Sequence, residues 1–212
     1  MKVYGILAII GTAVAAYALA SAPEKKVDLA KFDKISAHEI TQVIYKPGKT
    51  QSVTVSGNDI LVKATTLEVK NGQLIIDQDG KALKDVDLPD NAKVVVTITT
   101  PSLTAIELSG AATFKGTGIK QSKLQVSGSG AAVITVTGSA KNLDVNLSGA
   151  SHFVGNEFKS DDCTVSVTGA ANAELNVSKN LDATASGVSS VSYKGSPHVT
   201  KAVTGLANIG NK

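Results

Sequence analysis

Leu143-Asp144-Val145-Asn146-Leu147-Ser148-Gly149-Ala150-Ser151-His152-Phe153 decides the fold. Apolar and polar residues alternate up to Leu147, break at Ser148-Gly149, and resume with Phe153. A period of two is that of an extended strand with one buried face, and a break of that kind is a bend. The same order recurs around Ser109-Gly110, Ser129-Gly130, Thr168-Gly169, Ser186-Gly187 and Thr204-Gly205, with successive glycines 20, 19, 20, 18 and 18 residues apart. Two places after each Gly sits a small residue: Ala112, Ala132, Ser151, Ala171, Ser189 or Ala207. Four places after come Phe114, Ile134, Phe153, Ala173, Val191 and Ile209. Four places before come Ile106, Val126, Val145, Val165 and Ala183, and only Lys201 breaks that column.

A unit of this length cannot bury its own apolar face, but a stack of units can, because each strand pairs in parallel with its equivalent in the next coil. The expected fold is all-β: a parallel β-solenoid with rungs of 18–20 residues. No apolar period of 3.6 persists for three turns beyond residue 30, so almost no helix is expected. Residues 32–101 read as less regular strands at 32–35, 42–45, 52–55, 67–69, 74–77 and 93–99, with turns at Lys46-Pro47-Gly48-Lys49 and Asn71-Gly72. Val53, Val55, Gly57 and Leu61 match the repeat register once, so this half is read as early, irregular rungs and a cap, with a separate sandwich as the alternative.

Ahead of these strands, Lys2, the uncharged run from Val3 to Ala16 and Ala18-Leu19-Ala20 read as an export signal cleaved after Ala20, an uncleaved membrane anchor being the alternative. The expected organisation is a signal peptide over 1–20, a linker over 21–30 and one solenoid domain over 31–212. Within that domain 31–102 is the irregular part and 103–212 holds six regular rungs. All 21 basic residues are Lys, and the net charge is only +3. Without guanidinium groups the chain lacks the usual bidentate readers of bases and phosphates, and nucleic-acid binding is not expected. One Cys closes no intrachain disulfide.

Few constellations carry chemistry. The Ser/Thr column at 109, 129, 148, 168, 186 and 204 reads as hydroxyls that satisfy the backbone at each bend. A nucleophile needs a base within reach, and His38, His152 and His198 lie far apart in sequence. His152 falls on the outward parity as a surface residue. No His/Cys pair has zinc-ligand spacing. Asp77, Asp79, Asp85, Asp87 and Asp90 form an acidic stretch that fails the calcium-loop pattern and reads as a solvated loop. Cys163 reads as a small buried hydrophobe, one place off the column of Leu143 and Leu181. Neither a metal nor a cofactor is expected.

The outward positions before each bend stack into a flat polar face, whose candidate ligand-binding residues are Glu107, Gln125, Asp144, Asn146 and Asp182. Asp144 and Asp182 are two rungs apart, roughly 10 Å at the interstrand spacing, which is near the separation of the acids in inverting glycosidases. No aromatic platform for a sugar lies beside them.

The signal segment, the opening Phe32-Asp33-Lys34-Ile35, the run Val94 to Thr99 leading into Pro101-Ser102-Leu103, the units Ile106 to Ala111, Val145 to Ala150 and Val165 to Ala170, and the closing Val191-x-Tyr193-x-Gly195-x-Pro197 occur here in a specific order. In that order the chain, from 31 to about 209, resembles the putative auto-transporter adhesin, head GIN domain family of bacterial exported proteins. The resemblance implies a right-handed β-helix-like stack, export to the periplasm or cell surface, and an adhesive role. It carries no catalytic motif. No translocator barrel follows the repeats, so the family's "auto-transporter" is not expected to describe this chain's own export. The expected function is a non-enzymatic binding or structural module of the cell envelope; the alternative is a polysaccharide-acting hydrolase or lyase on the same scaffold. Expected partners are a surface glycan or another envelope component, with homo-oligomerisation open and membrane contact only through the signal segment.

Overall fold

Alternation at period two places one apolar row inside each strand, and the computed structural model, which describes residues 25–89 and 92–212, shows that row closed into a parallel stack of about five turns. The signal segment lies outside the described residues. In chain order the strands are β1 (Lys25–Val27), β2 (Lys34–Ala37), β3 (Thr41–Pro47), β4 (Ser52–Gly57), then helix α1 (Asp59–Ala64), β5 (Thr65–Lys70), β6 (Gln73–Gln78) and β7 (Val94–Thr100). The repeats supply β8 (Ala105–Leu108), β9 (Thr113–Gly128), β10 (Val133–Leu147), β11 (His152–Val167), β12 (Asn172–Gly187), β13 (Ser190–Lys194), β14 (His198–Gly205) and β15 (Asn208–Asn211).

From β8 upward every pairing is parallel and keeps the repeat register: Ile106, Val126, Val145, Val165 and Ala183 stand over one another, as do Phe114, Ile134, Phe153, Ala173, Val191 and Ile209. Both columns are buried, while Lys201 stands over Ala183 on the last, exposed rung. The six Ser/Thr-Gly corners therefore bound about five full turns.

The corner explains its glycine. Each corner Gly is left-handed, and from Gly110 to Gly187 its carbonyl accepts a bond from the residue after the next corner's Gly, as from Ala150 N to Gly130 O at 2.7 Å. A Cβ on Gly149 would lie 2.7 Å from that same Gly130 oxygen. The small residue two places on plugs the inside of the bend. Ser151 is fully buried there, and its hydroxyl donates to Ser148 O at 2.6 Å and Gly128 O at 3.2 Å. Ser189 repeats this against Ser186 O at 2.9 Å. In the expected hydroxyl column itself, Ser129 and Thr168 reach the carbonyls of Leu108 and Leu147 only at 3.5 and 3.4 Å. The bend is thus held mostly from inside.

All six irregular strands exist, but their order in the stack departs from their order in the chain. β2 and β3 form a rung directly under β8 and the start of β9, with Ile35 under Ile106 and Val43 under Phe114. β6 and β7 lie beneath that rung, in parallel with β2 and β3. The chain therefore lays one rung, drops below it, and then climbs past it. The lower end is closed by antiparallel strands: β5 on β6, β4 on β7 and β1 on β4. The repeat match at Val53, Val55, Gly57 and Leu61 is thereby corrected. Val53 and Val55 belong to an antiparallel strand and Leu61 to α1, whose Asn58 cap accepts bonds from Ile60 N and Leu61 N. The true early copy is Ile35-Ser36-Ala37-His38-Glu39, with Glu39 at φ 56° in the place of the corner glycine.

Candidate binding faces

Outward parity puts the five predicted residues on one wall. Gln125, Asp144, Thr164 and Asp182 form one column; Glu107, Ser127, Asn146, Ser166 and Thr184 form the next. Asn146 Nδ2 donates to Asp144 Oδ1 at 2.9 Å, and Gln73 Nε2 donates to Glu107 Oε2 at 3.1 Å, so the face is tied across columns and down to β6. An open groove of about 380 Å³ runs between the Glu107–Ser127–Asn146–Ser166 column and the corner hydroxyls of Ser129, Ser148 and Thr168. Asp144 lines a separate shallow hollow of about 250 Å³ with Lys123, Asn142, Asp162 and Thr164. Asp182 is exposed and lines neither.

Sequence separation concealed one contact. His38 lies under the Ser/Thr column, its Nδ1 2.6 Å from Ser109 Oγ and its Nε2 3.1 Å from Ser36 Oγ, although His38 and Ser109 are 71 positions apart in the chain. A base within reach of a serine, which the spacing of the histidines argued against, is therefore present. Its third partner is a hydroxyl, not a carboxylate, and the groove reaches this rung at Glu107 and Leu108 without being lined by Ser109 or His38. The pair is a polar closure of the lowest corner. Aligning Ile35 to Glu39 with the repeats is the signal that finds it.

Cys163 also needs correction: it stands in register with Leu143 and Leu181, inside the column and not one place off it. Burial, and secondly the charge of Asp144, pushes its thiol up to about 12, so it is an inert core residue at neutral pH. His152 is half-buried on the outward face as expected. Near it the Glu174 carboxyl is held below its ordinary range, first by a bond from Asn156 Nδ2 and then by Lys212, whose Nζ is 3.4 Å away.

Among the described residues no three of His, Cys, Asp and Glu gather as a metal group would require. In the acidic loop Asp79 Oδ1 accepts from Lys81 N at 2.9 Å and Asp77 Oδ1 from Gln78 N at 2.8 Å, which makes them local turn caps. Asp90 lies outside the described residues. A hollow of about 720 Å³ opens at the lower end, floored by Val27, Leu29, Phe32 and Val53 and rimmed by Lys26, Lys31 and Lys49. Gln51 shapes it by donating to Leu29 O and Ala30 O and accepting from Phe32 N.

With this geometry in place, comparison with known proteins agrees with the resemblance drawn from the repeats. The family model described as "Putative auto-transporter adhesin, head GIN domain" matches residues 31–197. Among solved structures the chain is similar to a putative adhesin from Bacteroides fragilis NCTC 9343, at 22% identity and TM-score 0.70, covering 90% of this chain and 96% of that one. It is similar also to a putative adhesin from Parabacteroides merdae ATCC 43184, at 15% identity and TM-score 0.54 over 92% and 97% of the two chains. A third, described as a putative lipid binding protein from Parabacteroides distasonis ATCC 8503, has 15% identity and TM-score 0.52 over 92% and 98%. At these identities the likeness is one of fold. No curated protein matches the sequence.

Proposed function

We propose, from the premise that this chain belongs to the putative auto-transporter adhesin, head GIN domain family, that it is an exported, non-enzymatic binding module of a bacterial cell envelope. The observation that carries this reading is the open polar wall. Asp144 and Asp182 share a column but are separated by Thr164, and neither of the two grooves described on this wall holds them both. Inverting hydrolysis needs two carboxyl groups facing one cleft, one of them kept protonated by its surroundings. Asp182 is exposed and shares no cleft with Asp144, whereas a ladder of Glu, Gln, Asp and Asn side chains at strand spacing suits hydrogen bonding to an extended ligand.

Two measurements test the reading. A glycan-array screen of the purified protein, followed by a turnover assay on each hit, should show binding without release of reducing ends or unsaturated products. Products that vanish in the double variant Asp144→Asn with Asp182→Asn would instead establish the enzyme. Export is tested in the native host, where mass spectrometry of the envelope fraction should find a chain beginning at Ser21. A cytoplasmic chain retaining Met1 would refute it.

A further inference from the structure

Between the wall of the predicted residues and the opposite wall, each turn has a third stretch, made by residues 117–123, 137–142, 156–162 and 176–180. Register places Lys120, Ser139, Lys159, Asn176 and Lys194 in one outward column, so lysine alternates with a short polar residue from rung to rung. Equivalent lysines two rungs apart are roughly 10 Å from each other at the interstrand spacing. Lys141 fills the rung between Lys120 and Lys159, two places along the chain from Ser139. The rungs form an open groove of about 610 Å³ lined by Lys141, Lys159 and one carboxylate, Asp161, together with Gln121, Ser139 and Asn176.

Three carboxylates, Glu157, Asp161 and Asp162, share this stretch with five lysines, Lys120, Lys123, Lys141, Lys159 and Lys179. Asp161 accepts bonds from Lys179 Nζ at 2.9 Å and Ser178 Oγ at 3.0 Å, and these, with a smaller contribution from the charge of Lys141, hold its carboxyl below its ordinary range. Asp162 accepts from Asn180 Nδ2 at 2.6 Å, and Glu157 is exposed on the same stretch. Among the described residues no carboxylate lies within 4.0 Å of Lys120, Lys123, Lys141, Lys159 or Lys194. The columns of Asp144 and Glu107 carry no lysine above Lys34. Five lysines against three carboxylates leave a positive excess on this side of the stack, with Lys120, Lys159 and Lys194 in a line along its axis.

We propose that this groove binds a linear anionic polysaccharide, its carboxylate or sulfate groups meeting the lysines in turn and its hydroxyls meeting Gln121, Ser139 and Asn176. This rests on the reading of the protein as an envelope binding module and gives that reading a ligand class and a place. Ammonium groups contact single oxygens as point charges, so a row of lysines without arginine suits charges repeated along a polymer rather than one bidentate group. The summed field of the row favours a polyanion and weakens with salt.

The test is biolayer interferometry on the immobilised protein with polygalacturonate, dextran sulfate and neutral dextran as probes. Both anionic polymers should bind, neutral dextran should not, and added salt should weaken binding. The double variant Lys141→Gln with Lys159→Gln should lose affinity by about tenfold or more, with an unchanged urea midpoint. The charge-matched variant Lys81→Gln with Lys84→Gln, in the exposed loop after β6, should change it by less than about twofold. Equal losses in the two variants would reduce the effect to net charge and overturn the proposal. So would failure of both anionic polymers to bind. If neutral glycans then bound and responded to Asp144→Asn, the envelope-binding reading would stand without this groove; if no glycan bound on the array or here, both would fall.

Discussion

Phe153→Ala is expected to destabilise the protein by about 3–5 kcal/mol, the usual cost of deleting a ring from a closed core. Phe153 is 0% exposed, with Ile134 below and Ala173 above in its column. Its ring packs over Gly155 of the same strand, where any Cβ would collide with it, so the rung is shaped to its own aromatic. Ala173 is too small to move into the gap. Each rung is stabilised chiefly by the rungs next to it, so a defect in the middle weakens two interfaces at once. The adjacent His152→Ala, on the opposite parity, should change stability by less than about 0.5 kcal/mol. Urea melts of the two variants check this, and equal midpoints would show the inward column to be misassigned.

Gly149→Ala should cost about 3 kcal/mol or more. A non-glycine residue held left-handed loses about 1–2 kcal/mol, and here φ is 71°. The added Cβ would also stand 2.7 Å from Gly130 O, an oxygen that cannot retreat without loosening its 2.7 Å bond from Ala150 N. Glu39 provides the contrast. It holds the same corner place at φ 56°, but each corner residue directs its Cβ toward the corner beneath, and Glu39 is the lowest of the column. Its substitution Glu39→Gly should therefore be neutral or stabilising by up to about 1 kcal/mol, since relief of the left-handed strain is partly offset by the flexibility of glycine in the unfolded chain. Thermal or urea unfolding of the pair is the measurement. A Gly149→Ala variant as stable as the parent would remove the corner stacking from the explanation of the repeat.

How far the candidate sites were legible follows the same division. The columns of Gln125, Asp144 and Asp182 and of Glu107 and Asn146 could be written down by counting back from each corner glycine, and the structure aligns them so. Cys163 was countable too, since it stands six places before Gly169 as Leu143 stands before Gly149. The lysines of the third stretch were not, because the rungs differ in length there and the register slips between Thr135 and Thr137, and between Val154 and Lys159. A count from either corner loses its phase across such a bulge. Which lysine stands over which is known only once the backbone closes.

From the sequence alone came the parallel stack, the corner places, the inward parity and the absence of long helices, because in a solenoid each turn repeats one covalent period and neighbours in space are one period apart in the chain. Tertiary structure alone decided the lower end. There β6 and β7 lie under β2 and β3, antiparallel strands close both walls, and His38 comes to Ser109 across 71 residues. An end rung has unpaired N–H and C=O groups on one side, and whichever segment can reach and satisfy them does so. That choice depends on geometry between distant parts of the chain, and no local period encodes it.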